Sequence, residues 1–154
     1  YKVHWKIFGI SESDVLNDIC RKRYGTKGKL QNIEFFGQVN PSELIEHLST
    51  CHFFVHPSYI DNSPNSVCEA MLMGLPVLAS SIGGISSLVK HDETGFLFNP
   101  YDSYDLAGLL VNLIQDYERA KNAGIKARQV ALKRHSSEII ISDLAQIYNS
   151  VHGE

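Results

Sequence analysis

Strand-like and helix-like stretches alternate along this chain. Five short runs rich in β-branched and aromatic residues, VHWKIFGI, NIEFFGQV, HFFVHPS, PVLAS and GFLFNP, are each followed by helical spacing, with no hairpin signal between them. Strands separated by single helices pair in parallel, because a tight turn reverses the chain and a helical crossover does not. Right-handed crossovers then put helices on both faces. The expected fold class is α/β, a Rossmann-like doubly wound parallel sheet, as one domain over residues 1–154. HFFVHPS is almost wholly apolar, as a buried parallel strand is.

The helical stretches carry their own punctuation. SESDVLNDICRKRYG has Ser11 or Ser13 as a cap, Val15, Leu16 and Ile19 as an apolar stripe, and Gly25 as a stop. PSELIEHLSTC has Pro41 near its start, with Leu44, Ile45 and Leu48 facing inward. SIGGISSLVKHDETG reads as a glycine turn with a short helix, and Asp102 or Ser103 caps the helical remainder. Arg119, Lys121, Lys126, Arg128, Lys133 and Arg134 read as a solvated helix face. Ile140, Leu144, Ile147 and Val151 recur at heptad-like spacing, which suits core packing or, if the stripe is exposed, weak self-association.

The 154 residues, 44% of them hydrophobic, suffice for a core of their own. A formal net charge of -3 gives no general attraction to nucleic acid, so no nucleic-acid partner is expected. No stretch approaches the ~20 apolar residues of a membrane span. Cys20, Cys51 and Cys68 are odd in number and lack C-x-x-C spacing, which reads as free thiols in a reducing compartment. A cytoplasmic setting is expected, with the inner membrane face as a peripheral station. The chain opens at Tyr1 and enters a strand almost at once, as expected of a segment of a longer, two-domain protein.

In a doubly wound fold, ligands bind at the carboxyl ends of the strands. The loops that qualify run over residues 9–13, 37–41, 56–65 and 80–84, and should lie side by side. The third of them enters a helix in DNSPNSVCEAMLMGLPVLAS, residues 61–80. Ser63 is the expected N-cap and Pro64 the first helical residue. Asn65, Ser66 and Val67 then present unpaired N–H groups at the positive end of the helix dipole, an anion site suited to a diphosphate. Gly74 and Pro76 end the helix. Glu69 sits among the apolar Val67, Ala70, Met71 and Leu72, reads as buried, and would need hydroxyl donors, since an ionised carboxylate only accepts. Asp61 and Asn62 stand on the approach loop, either as ligand contacts or as a plain Asx turn.

These residues resemble a known family. Asp61, seven intervening residues, Glu69, then AMLMGLPVLAS, Gly83-Gly84 and LVKHDETGFLF are similar to the carboxyl-terminal donor-binding domain of GT-B glycosyltransferases of the retaining family 4 group. WKIFG, IEFFGQV and ELIEHLSTCHFFVHPS upstream resemble it too, so the likeness covers about residues 3–113. It implies a donor site without metal or cofactor. Glu69 would hold the ribose hydroxyls of a nucleotide sugar. Asp61, the catalytic candidate, would meet hydroxyls of the donor sugar, Asn62, Ser63 and Pro64 would carry its loop, and Asn65, Ser66 and Val67 would meet the diphosphate. Gln38 and Val39 would lie near the base, with Gly9, Gly83 and Gly84 in the glycine turns of the site. The family has Glu where Asp61 stands and commonly glycine where Ser11 stands. Its Arg and Lys that neutralise the leaving diphosphate would lie upstream of Tyr1, with the amino-terminal domain that receives a glycan or lipid-linked acceptor. The final helix commonly reaches back to that domain.

The function implied is transfer of a sugar from a nucleotide-diphosphate sugar to an acceptor hydroxyl, with retention, by an enzyme whose donor half alone is inert. Electrostatic stabilisation of the leaving diphosphate and proximity carry the reaction. There is no D-x-D motif, and His52 and His56 lie on a strand rather than at metal-type helical spacing, so His56 reads as a loop-positioning residue. The alternatives are a GT-B sugar-nucleotide epimerase, distinguished by product analysis, and a flavodoxin-like signalling module. The latter needs an acidic pocket after its first strand, where only Glu12 stands.

Overall fold

The computed structural model describes residues 2–11, 13–24 and 32–152. Every strand pairing in it is parallel, and the pairings fall into two ladders, β1-β2 and β3-β4-β5. The chain forms two compact units, Tyr1–His47 and Leu48–Glu154.

In the first unit β1 (Trp5–Phe8) pairs with β2 (Ile33–Gly37). The helix α1 (Val15–Tyr24) follows β1, and α2 (Pro41–Ser49) follows β2. Phe8 stacks on Phe36 at 5.2 Å, and the His47 ring of α2 closes on both at 5.4 and 4.3 Å. The Asn40 side chain accepts the Glu43 N–H at 2.9 Å while the Glu43 carboxylate accepts the Asn40 N–H at 3.2 Å, a capping box for α2.

Two inward faces differ from expectation. Val15 and Ile19 are exposed, and among the described side chains of α1 the buried one is Asn17. Its amide donates to the Ser11 carbonyl and accepts from the Arg21 guanidinium, so this buried polar group is satisfied. In α2, Leu48 is buried but Ile45 is exposed, because a nine-residue helix turns only a narrow face inward. Ser11 and Ser13 bond each other ahead of α1. Gly25 and the Leu16 and Cys20 side chains lie outside the described residues.

The second unit holds β3 (Phe54–His56), β4 (Val77–Ser80) and β5 (Phe96–Phe98), with β4 central. All of β4 is buried, whereas β3 is half-buried throughout. The connections are α3 (Asn65–Met73) and α4 (Ile85–Leu88), and α5 (Ser103–Gln115), α6 (Tyr117–Arg134) and α7 (Ser137–His152) complete the unit. Leu78, Phe96, Phe98, Leu113, Ala120 and Ala123 form a core cluster that takes in Phe53, Val55 and Leu106. Small residues of α6 let α3 come close. A Cβ on Gly124 would collide with the Gly74 carbonyl and stand 3.0 Å from the Pro76 nitrogen.

Asp102, rather than Ser103, caps α5 and accepts the Tyr104 and Asp105 N–H groups at 2.9 and 3.3 Å. Asp102→Ala is expected to cost about 1 kcal/mol. Urea denaturation should show a lower midpoint with an unchanged slope. The basic residues of α6 are exposed, as expected, with Arg119 on Asp92 at 2.7 Å. That guanidinium holds the Asp92 carboxyl below its ordinary range.

The stripe on α7 does not pack into a core: Ile140, Leu144, Ile147 and Val151 are 44, 49, 59 and 69% exposed. Among the described residues no helix is long and apolar enough to cross a membrane.

Candidate functional site

The loop from β3 into α3 is fixed from below by one buried hydroxyl. Ser80, at the carboxyl end of β4, donates to the Ser58 carbonyl at 2.6 Å and reaches the His56 carbonyl at 3.4 Å. Sequence reasoning passed over Ser80. A serine closing an otherwise apolar strand was the available signal.

Asp61 is held at both carboxylate oxygens. Oδ1 accepts the Ser63 N–H at 3.2 Å, an Asx-type turn, and Oδ2 lies 3.2 Å from His56 Nε2. The backbone of the same loop rests on the glycine turn after β4. A Cβ on Gly83 would strike the Asp61 carbonyl, and one on Gly84 would strike the Asn62 carbonyl. Gly83 also has a φ of 48°, in the left-handed region. Two glycines therefore permit a backbone contact that no side chain could.

The helix starts one residue later than the sequence suggests. Pro64 is the N-cap, with φ -68° and ψ 117°, and no side chain caps the end. Ser63 is not the cap: its hydroxyl makes no cap bond, and its N–H donates to Asp61 Oδ1. Of the three N–H groups expected to be free, that of Val67 bonds the Pro64 carbonyl at 3.2 Å. Those of Asn65 and Ser66 make no hydrogen bond among the described residues. An uncapped helix start with two unsatisfied donors keeps the anion-binding character of a helix N-terminus.

Glu69 is exposed, contrary to the burial expected of it. At about 100° per residue, Val67, Ala70 and Met71 turn to the core and Glu69 turns out. It lies four positions after Asn65, so both occupy one face, one turn apart. Its carboxylate has no hydrogen bond or ion pair among the described residues. The adjacent Cys68 thiol is pushed up chiefly by burial. Cys68 and Cys51 are half-buried and form no disulfide among the described residues.

The structure thus brings together Asp61, Asn62, the start of α3, Gly83 and Gly84, with Glu69 one turn along. Gly9, Gln38 and Val39 belong to the first unit. There the Gly9 N–H donates to the Gly37 carbonyl at 2.6 Å and the Gly37 N–H to the Ile10 carbonyl at 3.1 Å, so the loops after β1 and β2 are tied. Gln38 is exposed and Val39 half-buried. The four expected loops therefore pair two by two, one pair within each unit.

The chain is similar to several proteins of known activity. It is 38% identical over 98 residues to the sulfoquinovosyl transferase of Arabidopsis thaliana, which covers 62% of this chain and 19% of that protein. It is 34% identical over 83 residues to N-acetyl-alpha-D-glucosaminyl L-malate synthase of Bacillus anthracis, 54% of this chain and 22% of that one. Among solved structures, Anabaena HepE in complex with UDP-glucose superposes with a TM-score of 0.81 at 25% identity, over 96% of this chain and 41% of HepE. The chain therefore spans about a fifth of the two sequence relatives and well under half of the structural one. These likenesses uphold the resemblance to the carboxyl-terminal domain of a GT-B glycosyltransferase. With residues 6–130 matching the description of glycosyl transferases group 1, this chain belongs to that family.

Proposed function

We propose that this chain is the donor-binding part of an enzyme that transfers a sugar, with retention, from a nucleotide-diphosphate sugar to an acceptor hydroxyl. The observation that carries the reading is the start of α3, where Asn65 and Ser66 offer N–H groups with no partner among the described residues and the exposed Glu69 lies one turn along, on the face of Asn65. Diphosphate oxygens accept from Asn65 and Ser66, and ribose hydroxyls donate to Glu69. Asp61 receives hydroxyls of the sugar, and Gly83 and Gly84 keep its loop in place. Bond cleavage builds negative charge on the departing nucleoside diphosphate, and the α3 dipole and donors stabilise it without reorganisation. HepE, of matching fold, was crystallised with UDP-glucose, which supports a nucleotide sugar as the ligand. No metal ion or further cofactor enters this scheme. A glycan or lipid-linked acceptor is engaged by an amino-terminal domain, in the cytoplasm or at the inner membrane face.

Titration of the intact protein with UDP, GDP and ADP tests this. One of the three is expected to bind by calorimetry with a Kd below about a millimolar. Silence from all three overturns the reading.

A further inference from the structure

His56 ends β3, five residues before Asp61, and its ring is partly enclosed: the two side chains are 16 and 28% exposed. The His56 ring lies parallel to that of Phe54 at 6.5 Å, while its carbonyl receives the Ser80 hydroxyl. A rigid ring is therefore fixed at the root of a loop that is itself fixed on Gly83 and Gly84. From that position Nε2 meets Asp61 Oδ2 at 3.2 Å.

We propose that His56 is a positioning residue for donor-sugar recognition, aiming the Asp61 carboxylate at the sugar hydroxyls. This rests on the donor-site reading above. A carboxylate offers about four acceptor positions. In Asp61 one on each oxygen is taken, by Ser63 N–H and His56 Nε2–H, which fixes both the rotation and the tilt of the group. The positions left can only accept, so their partners must be donors: the hydroxyls of a pyranose, not its phosphate. Aspartate is one methylene shorter than glutamate and cannot search for the sugar by itself. The histidine supplies the aim in place of reach. A side chain that orients the sugar-binding acid should govern affinity for the sugar and leave affinity for the nucleotide alone.

The test compares, in the intact protein, the calorimetric affinity of UDP, GDP and ADP with that of their glucose, galactose, mannose and N-acetylglucosamine conjugates. The readout is the gain that the sugar adds over the bare diphosphate. His56→Phe keeps the ring and its stacking but removes the N–H. It is expected to shrink that gain by about tenfold, with diphosphate affinity unchanged within about twofold. His56→Gln, which restores an N–H donor, is expected to recover part of the gain. Asp61→Ala combined with His56→Phe should lose no more than Asp61→Ala alone. Three outcomes overturn the proposal: the gain is unmoved in His56→Phe, it falls in step with diphosphate affinity, or the two substitutions act additively. If no diphosphate binds the unaltered protein, the donor-site reading falls and this one with it.

Discussion

Gly84→Ala is expected to lower stability by about 2 kcal/mol and, in the intact protein, to cut nucleotide-sugar affinity at least about tenfold. The backbone angles at Gly84, φ -83° and ψ -1°, are ordinary for any residue, so no conformational strain enters. The cost is contact alone. A methyl group there would occupy the place of the Asn62 carbonyl, with the carbonyl carbon 2.9 Å away. Backbone cannot swing aside as a lysine tip can, so the whole loop bearing Asp61 must shift. Gly83→Ala adds a left-handed φ of 48° to a similar collision. Gly108 provides the control. It lies in α5 with nothing within 4 Å of its would-be Cβ, and alanine there should raise stability by about 1 kcal/mol. Urea denaturation of the three variants, read beside calorimetry, separates the cases. A Gly84→Ala protein as stable as its parent and still binding the donor would refute the loop contact.

The opposite pattern is expected of Glu69→Gln. The carboxylate is exposed and unpartnered among the described residues, so stability should stay within about 0.5 kcal/mol. Nucleotide affinity should nevertheless fall about ten- to a hundredfold, because hydrogen bonds to a charged group contribute about 1.5–3 kcal/mol each and the amide is a weaker acceptor. An exposed acid among apolar sequence neighbours has no structural need for its charge. Affinity unchanged within about twofold would remove Glu69 from the ribose contact. One substitution would thus damage the fold and the site together, and the other the site alone.

Strand and helix order was readable because it depends on local pattern: PVLAS could scarcely be anything but a buried strand, and β4 is wholly buried. The loop-to-helix junction was readable for the same reason, since proline has no N–H to lose and Gly74 takes φ 77° at the far end. Facing was harder. Glu69 looked buried because its neighbours in sequence are apolar, yet the residues it shares a face with are three or four positions away. Ser63 looked like a cap, but the helix begins one residue later and the serine hydroxyl makes no cap bond, a shift of one position that sequence does not fix. The apolar stripe of α7 was visible, but periodicity says only that a face wants cover, not that the chain supplies it. The bond between His56 and Asp61 depends on the path of the loop between them, which no spacing rule encodes.

The closure of α3 at both ends makes its length an angular setting. Pro64 fixes where the helix begins, and the left-handed Gly74, followed by Leu75 and Pro76, fixes where it stops. Each residue in between advances the screw by about 100°. Inserting one residue after Asn65 would carry Glu69 off the face it shares with Asn65. Adding one after Glu69 would instead rotate Met71 out of the core. Nearly restoring the phase would need about four residues, a full turn, which would move the helix start roughly 6 Å from the sheet edge. The helix can therefore trade its side chains freely over much of its outer surface, but it cannot change its count.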